Sequence, residues 1–181
     1  MKKDNNRNQA KQYYPYVLRD ESTLYDAMKR GDYATAMVAA QQSTEKSMKG
    51  ILQAHGDLSK APRTTHNLWD LYRKCYRYGF ELDGICKADL RYLTDAYFKG
   101  RYPERNQKHP KVYTYEDAKL AGEISQSMWC CFKWVLNDIE EEENTEFDID
   151  GGPSITVYDD RWDDSDLDDS DEDWRRSDDE E

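Results

Sequence analysis

Two groups of residues in this 181-residue chain have types and spacing that can do chemistry. The first lies in the stretch RYPERNQKHP, which holds Arg101, Tyr102, Arg105 and His109. A histidine can move the proton of a ribose 2'-hydroxyl, and an arginine can stabilise charge on a phosphorane. Together they suit metal-free cleavage of RNA. The backbone around His109 argues against that use. Three residues separate Arg105 from His109, and seven separate Arg101 from it. Pro110 disfavours helical backbone at His109, so the pair is not held on one helix face. The plainer reading is a basic loop that faces solvent or binds phosphate passively. The second group is Glu45, Lys46 and Lys49. Glu45 and Lys49 have the favourable i,i+4 order of a helix-surface ion pair, worth roughly a few tenths of a kcal/mol. The functional alternative places Lys46 or Lys49 beside Arg101 and Arg105 in a shared anion pocket. His66 opens an apolar run and reads as a cap or packing residue.

These residues need elements to position them, and the apolar spacing predicts helices almost throughout. Val17, Leu18, Leu24, Tyr25 and Met28 mark a first helix over Tyr16 to Arg30. Gly31 and Asp32 break it, and Asp32 is suited to cap the next. Tyr33, Ala36, Met37, Ala40, Thr44, Met48, Ile51 and Leu52 then form a stripe at three- and four-residue steps. Ala36 and Ala40 are small enough to admit a close neighbour. His55 and Gly56 end that helix. After a loop with Pro62, Thr64 or Thr65 is expected to cap a third helix carrying Leu68, Leu71, Tyr72, Cys75 and Tyr78, closed by Gly79. A fourth runs from about Gly84 to Lys99 and stops at Gly100. Pro103 and Pro110 make the next stretch a loop or broken turn. Thr114 starts the longest helix, with Glu116 and Asp117 where the helix dipole favours acids. Its inner face is Ala118, Ala121, Ile124, Ser125, Met128, Cys131, Phe132, Val135 and Leu136. The expected fold is all-α, an antiparallel bundle of four to five helices.

Charge divides the chain. Residues 140–181 carry 21 acids and 3 bases, a net of -18, whereas residues 1–139 carry 17 acids and 23 bases, a net of +6. A mildly basic body therefore bears a strongly acidic tail. The expected organisation is a flexible N-terminus over 1–14, a helical domain over 15–139 and a disordered tail over 140–181. The tail, with Trp162 and Trp174, can imitate nucleic acid and cover the basic loop, recruit a basic partner, or simply keep the protein soluble. There is no run of apolar residues long enough to cross a membrane and no secretory h-region, so a cytoplasmic protein is expected. The four cysteines have no metal-ligand spacing with the three histidines. No metal and no cofactor are expected, and Cys130 and Cys131 read as small buried hydrophobes. Tyr72, Tyr76, Tyr78, Tyr92, Tyr97 and Tyr102 interleave with basic residues. Such a mixture can stack bases, but rings packed in a core or interface are the commoner use.

Four motifs in order resemble one family. GDYATAMVAAQQSTEKSMKGILQAHG contains Gln41, Gln42, Glu45, Lys46 and Lys49. THNLWDLYRKCYRYG contains His66 and Leu68. LRYLTDAYFKGRYPER contains Arg101, Tyr102 and Pro103, and YTYEDAKLAGEIS contains Tyr113, Thr114 and Ala118. In order and spacing the chain from about Tyr16 to Ile139 resembles the HEPN domain (higher eukaryotes and prokaryotes nucleotide-binding). The resemblance implies a helical domain that usually dimerises and works on or near nucleotides or RNA. Some members pair with a nucleotidyltransferase in toxin–antitoxin modules. Others are metal-independent RNases whose signature is Arg, four to six intervening residues, then His, with a polar residue right after the Arg. Asn106 fits that pattern after Arg105, but the spacing to His109 does not. On this resemblance the expected function is nucleotide or nucleic-acid binding through Arg101, Tyr102, Arg105, Lys46 and Lys49. The alternatives are an RNase using Arg105 and His109, and a non-catalytic interaction module acting through its tail.

Overall fold

A two-residue turn sets the first helix pair. In the computed structural model, Gly31 adopts φ 70° and ends one helix, and the Asp32 carboxylate accepts a hydrogen bond from Thr35 N at 3.1 Å to begin the next. Those hydrogen bonds hold the Asp32 carboxyl below its ordinary range. The structure describes residues 2–58, 65–101 and 112–144. Among them are α1 (Lys2–Lys11), α2 (Tyr14–Arg30), α3 (Tyr33–Ala54), α4 (Leu68–Tyr76), α5 (Lys87–Arg101) and α6 (Tyr115–Asn144), and no strand. The chain divides into two units, Met1–Ile149 and Asp150–Glu181, and every described residue belongs to the first. None of the described helices is long and apolar enough to cross a membrane.

Helix α3 is the axis of the bundle and touches all five others. Its small residues make that possible. Ala36, Ala39, Ala40, Ser43, Ser47 and Gly50 are buried, so neighbouring helices approach on several sides. Gly50 marks the tightest approach. A Cβ there would lie 2.4 Å from the Phe132 ring of α6. Ala118, Ala121, Ile124, Ser125, Met128, Phe132, Val135 and Leu136 of α6 are buried as the spacing predicts, and Cys131 is half-buried. On α2, Val17 and Leu24 enter the core, while Leu18 and Tyr25 are exposed. A polar contact joins three helices: the Glu21 carboxylate of α2 accepts from Ser43 Oγ of α3 and Ser125 Oγ of α6, both at 2.5 Å.

Several boundaries differ from the sequence reading. Residues 1–14, expected to be flexible, contain α1, whose Ala10 is fully buried. Amide contacts from Gln9 and Asn6 to Gln53 help dock it, and an apolar-stripe criterion does not register these. The cap of α4 is Asn67, not a threonine. Its side chain accepts from Trp69 N and Asp70 N, and Thr65 Oγ1 supports Asn67 N. Helix α5 begins at Lys87 and continues past Gly100 to Arg101. Glycine weakens a helix by about 1 kcal/mol without forbidding it, whereas Pro103 disfavours helical backbone at Tyr102. Helix α6 continues past Ile139 through the four glutamates at 140–143 to Asn144, because glutamate is a good helix former. The rest of the acidic stretch, 145–181, lies outside the described residues. Cys130 is exposed rather than buried.

The Gly50 contact makes a direct prediction. Gly50→Ala should lower stability by about 2 kcal/mol through overpacking. Denaturant unfolding of Gly50→Ala combined with Phe132→Leu should show a loss smaller than the sum of the single losses. An unchanged midpoint for Gly50→Ala would contradict the packing described.

Candidate functional site

Glu45 sits halfway along α3 and is only 5 % exposed. A carboxylate there must be compensated from several sides. Its Oε1 accepts from Lys49 Nζ at 2.7 Å, and its Oε2 accepts from Gln41 Nε2 at 2.9 Å. His66 Nδ1 approaches Oε2 at 3.0 Å from the segment leading into α4. Gln41 is itself held, accepting from Gln42 Nε2 at 2.6 Å and donating to the His66 carbonyl at 3.4 Å. Burial pushes the Glu45 carboxyl up, but hydrogen bonds from Lys49, His66 and Gln41, with the lysine charge, outweigh it. The carboxyl titrates below its ordinary value of 4.5.

The Glu45–Lys49 pair is therefore not the helix-surface pair its spacing suggests. Both side chains are under a tenth exposed. Removing one partner from such a pair leaves a buried charge and costs several kcal/mol. Lys46 and Lys49 also part company. Lys46 pairs with Asp20 of α2 and donates to Gln42 Oε1 at 3.3 Å, whereas Lys49 serves Glu45.

The carboxylate fixes His66, and His66 builds a surface. Its ring stacks on Tyr97 of α5 with centroids 4.9 Å apart, and meets Phe98 edge-on at 6.1 Å. His66 keeps 36 % of its side chain exposed and Phe98 is 45 % exposed, whereas Tyr97 is buried. With Nδ1 engaged by Glu45, Nε2 is the ring nitrogen left for a ligand. That nitrogen has no hydrogen-bond partner among the described residues. The start of α4 is tied to α5 by Leu68 N, which donates to Thr94 Oγ1 at 3.1 Å. Arg101 is the last residue of α5, one turn beyond Tyr97. The side chain of Arg101, and all of Tyr102, Arg105 and His109, lie outside the described residues.

His66 is thus neither a cap nor simple packing. The sequence does carry a signal for its role: Gln41, Glu45 and Lys49 recur at four-residue steps on a helix buried on nearly every side. The tyrosines serve mainly inside the fold. Tyr72 Oη accepts from Leu82 N at 3.1 Å, and Tyr92 Oη donates to Asp117 Oδ1 at 2.8 Å. Among the described residues, no group of His, Cys, Asp and Glu could hold a metal ion.

Comparison with known proteins follows the same residues. The model of the HEPN domain matches residues 18–134. The crystal structure of TT1696 from Thermus thermophilus superposes with a TM-score of 0.59 at 24 % identity, over 71 % of this chain and 99 % of that one. ST0689, an archaeal HEPN homologue, gives 0.47 at 23 % identity, over 72 % of this chain and 97 % of that one. No curated protein matches the chain significantly.

Two outcomes test the buried cluster. Lys49→Met should lower stability by about 3 kcal/mol, because Glu45 loses its cation; an unchanged melting curve would contradict the cluster. Glu45 has a lowered folded pKa, so its stabilisation is fully present above 4.5 and is lost as pH falls through the folded value. The stability gap between wild type and Glu45→Gln should therefore be constant near neutrality and narrow below about pH 4. A gap that widens on acidification would reverse the assignment.

Proposed function

The chain belongs to the HEPN domain family, and from that premise we propose that it binds nucleotides or nucleic acid at the end of α5. The observation that carries this reading is the His66–Tyr97–Phe98 surface, held by buried Glu45 just ahead of Arg101. Phe98 offers an exposed ring on which a base can stack. His66 Nε2 offers a polar atom beside it. Arg101, Tyr102 and Arg105 follow directly in sequence and supply phosphate contacts. The net of +6 over residues 1–139 favours an anionic ligand. Lys46 and Lys49 act here through their partners: Lys49 neutralises Glu45, and Lys46 adds to the positive field beside Asp20. We further read the protein as a homodimer working with a nucleotidyltransferase in a toxin–antitoxin or defence setting, a reading that rests on the family alone.

Fluorescence anisotropy of the full chain with a labelled single-stranded RNA tests the site. Affinity should fall as salt rises, and Phe98→Ala should weaken binding about tenfold. Absence of binding at low salt, or equal binding by Phe98→Ala, would overturn the reading. Cleavage in the same samples with chelator present, lost in Arg105→Ala and His109→Ala, would instead establish the RNase alternative.

A further inference from the structure

Helix α2 carries a second stripe that the bundle does not use. Val17, Asp20, Leu24 and Ala27 are buried, on the side where α2 meets α3 and α6. Away from that side, Leu18, Ser22, Tyr25 and Lys29 recur at steps of four, three and four residues. All of them are exposed, Leu18 by 39 % and Tyr25 by 60 %. Alternating three- and four-residue steps are the spacing by which one helix packs along another.

The stripe has the make-up of a helix contact. Leu18 and Tyr25 offer apolar area, and the small Ser22 between them lets a second backbone come close. Lys29 Nζ lies 4.1 Å from the Tyr25 ring centroid, so its aliphatic stem extends the apolar strip.

The charges beside the stripe are self-complementary. Arg19 and Asp26 are seven residues apart, two helical turns, and so line the same edge of it. If a second α2 lies antiparallel across a two-fold axis near Ser22, Arg19 faces the partner's Asp26. Leu18 then lies near the partner's Tyr25, and every contact occurs twice. A parallel pair would instead set Arg19 against the partner's Arg19 and Asp26 against the partner's Asp26. Both charges are available. The Arg19 side chain is 67 % exposed, and its 3.7 Å approach to Asp20 duplicates the service that Lys46 already gives that carboxylate. Asp26 is exposed and makes no ion pair among the described residues.

We propose that α2 is a self-association surface, on which two copies of the chain pair through antiparallel α2 helices with Arg19–Asp26 contacts on either side of Ser22. The proposal rests on the homodimer reading above and gives it an interface, on different residues from the α5 surface. Four turns of one helix bury less than the roughly 1,600 Å² of a standard interface. The dimer is therefore of the weak, micromolar class.

Sedimentation velocity of the full chain, from about 1 to about 200 μM at roughly 0.15 M salt, tests it. A monomer–dimer equilibrium is expected in the wild type. Arg19→Asp and Asp26→Arg should each weaken it at least tenfold, because each places two like-charge contacts across the axis. The double variant Arg19→Asp/Asp26→Arg should return to the wild-type affinity, and Leu18→Glu should leave only monomer. These positions are exposed, so the melting curves of the variants should match the wild type. A wild type that stays monomeric throughout would overturn both the homodimer reading and this interface. A dimer that both single reversals leave intact, or that the double variant fails to restore, would overturn this interface alone.

Discussion

A charged carboxylate at the centre of a buried helix is the constraint around which this domain is arranged. Helix α3 touches each of the other helices, so Glu45 has no water to turn to. Its charge is met by Lys49 one turn later, Gln41 one turn earlier and His66 from across the fold. The first two partners come from the local helix geometry. The third exists only if the α4 entry segment lies against α3. The carboxylate therefore links the register of α3 to the placement of α4, and through His66 stacking on Tyr97 to α5.

That linkage gives the surface its form. An isolated phenylalanine near a helix end is an ordinary exposed apolar residue. Here Phe98 stands beside a histidine whose ring is set by a hydrogen bond on one side and a stacked tyrosine on another. Rotamer freedom that a ligand would otherwise have to remove is already restricted, which is the usual basis of a preorganised site. In the proposed function, the basic residues that follow α5 in sequence supply the phosphate contacts.

Much of the frame was legible in the sequence, and the reasons differ by element. The α6 stripe from Ala118 to Leu136 is long and regular, so its buried face could be read directly. The Gly31–Asp32 stop and start carries both a left-handed residue and a cap. Helix α1 was not legible, because amide contacts from Asn6 and Gln9, and only one buried apolar residue, seat it on the bundle. The site was half legible. Glu45 and Lys49 were recognisable as a pair, but spacing alone does not distinguish a solvated pair from a buried one. The His66 contact spans 21 residues of sequence and appears only when α3 and α4 pack.

In the proposed function, the α5-end surface set by Glu45 and His66 receives RNA. The most direct measurement is residue-resolved NMR of the full chain during titration with a short single-stranded RNA. Saturable shifts are expected at His66, Tyr97 and Phe98 and in the basic segment that follows. RNA that binds while leaving His66 and Phe98 unmoved would contradict it.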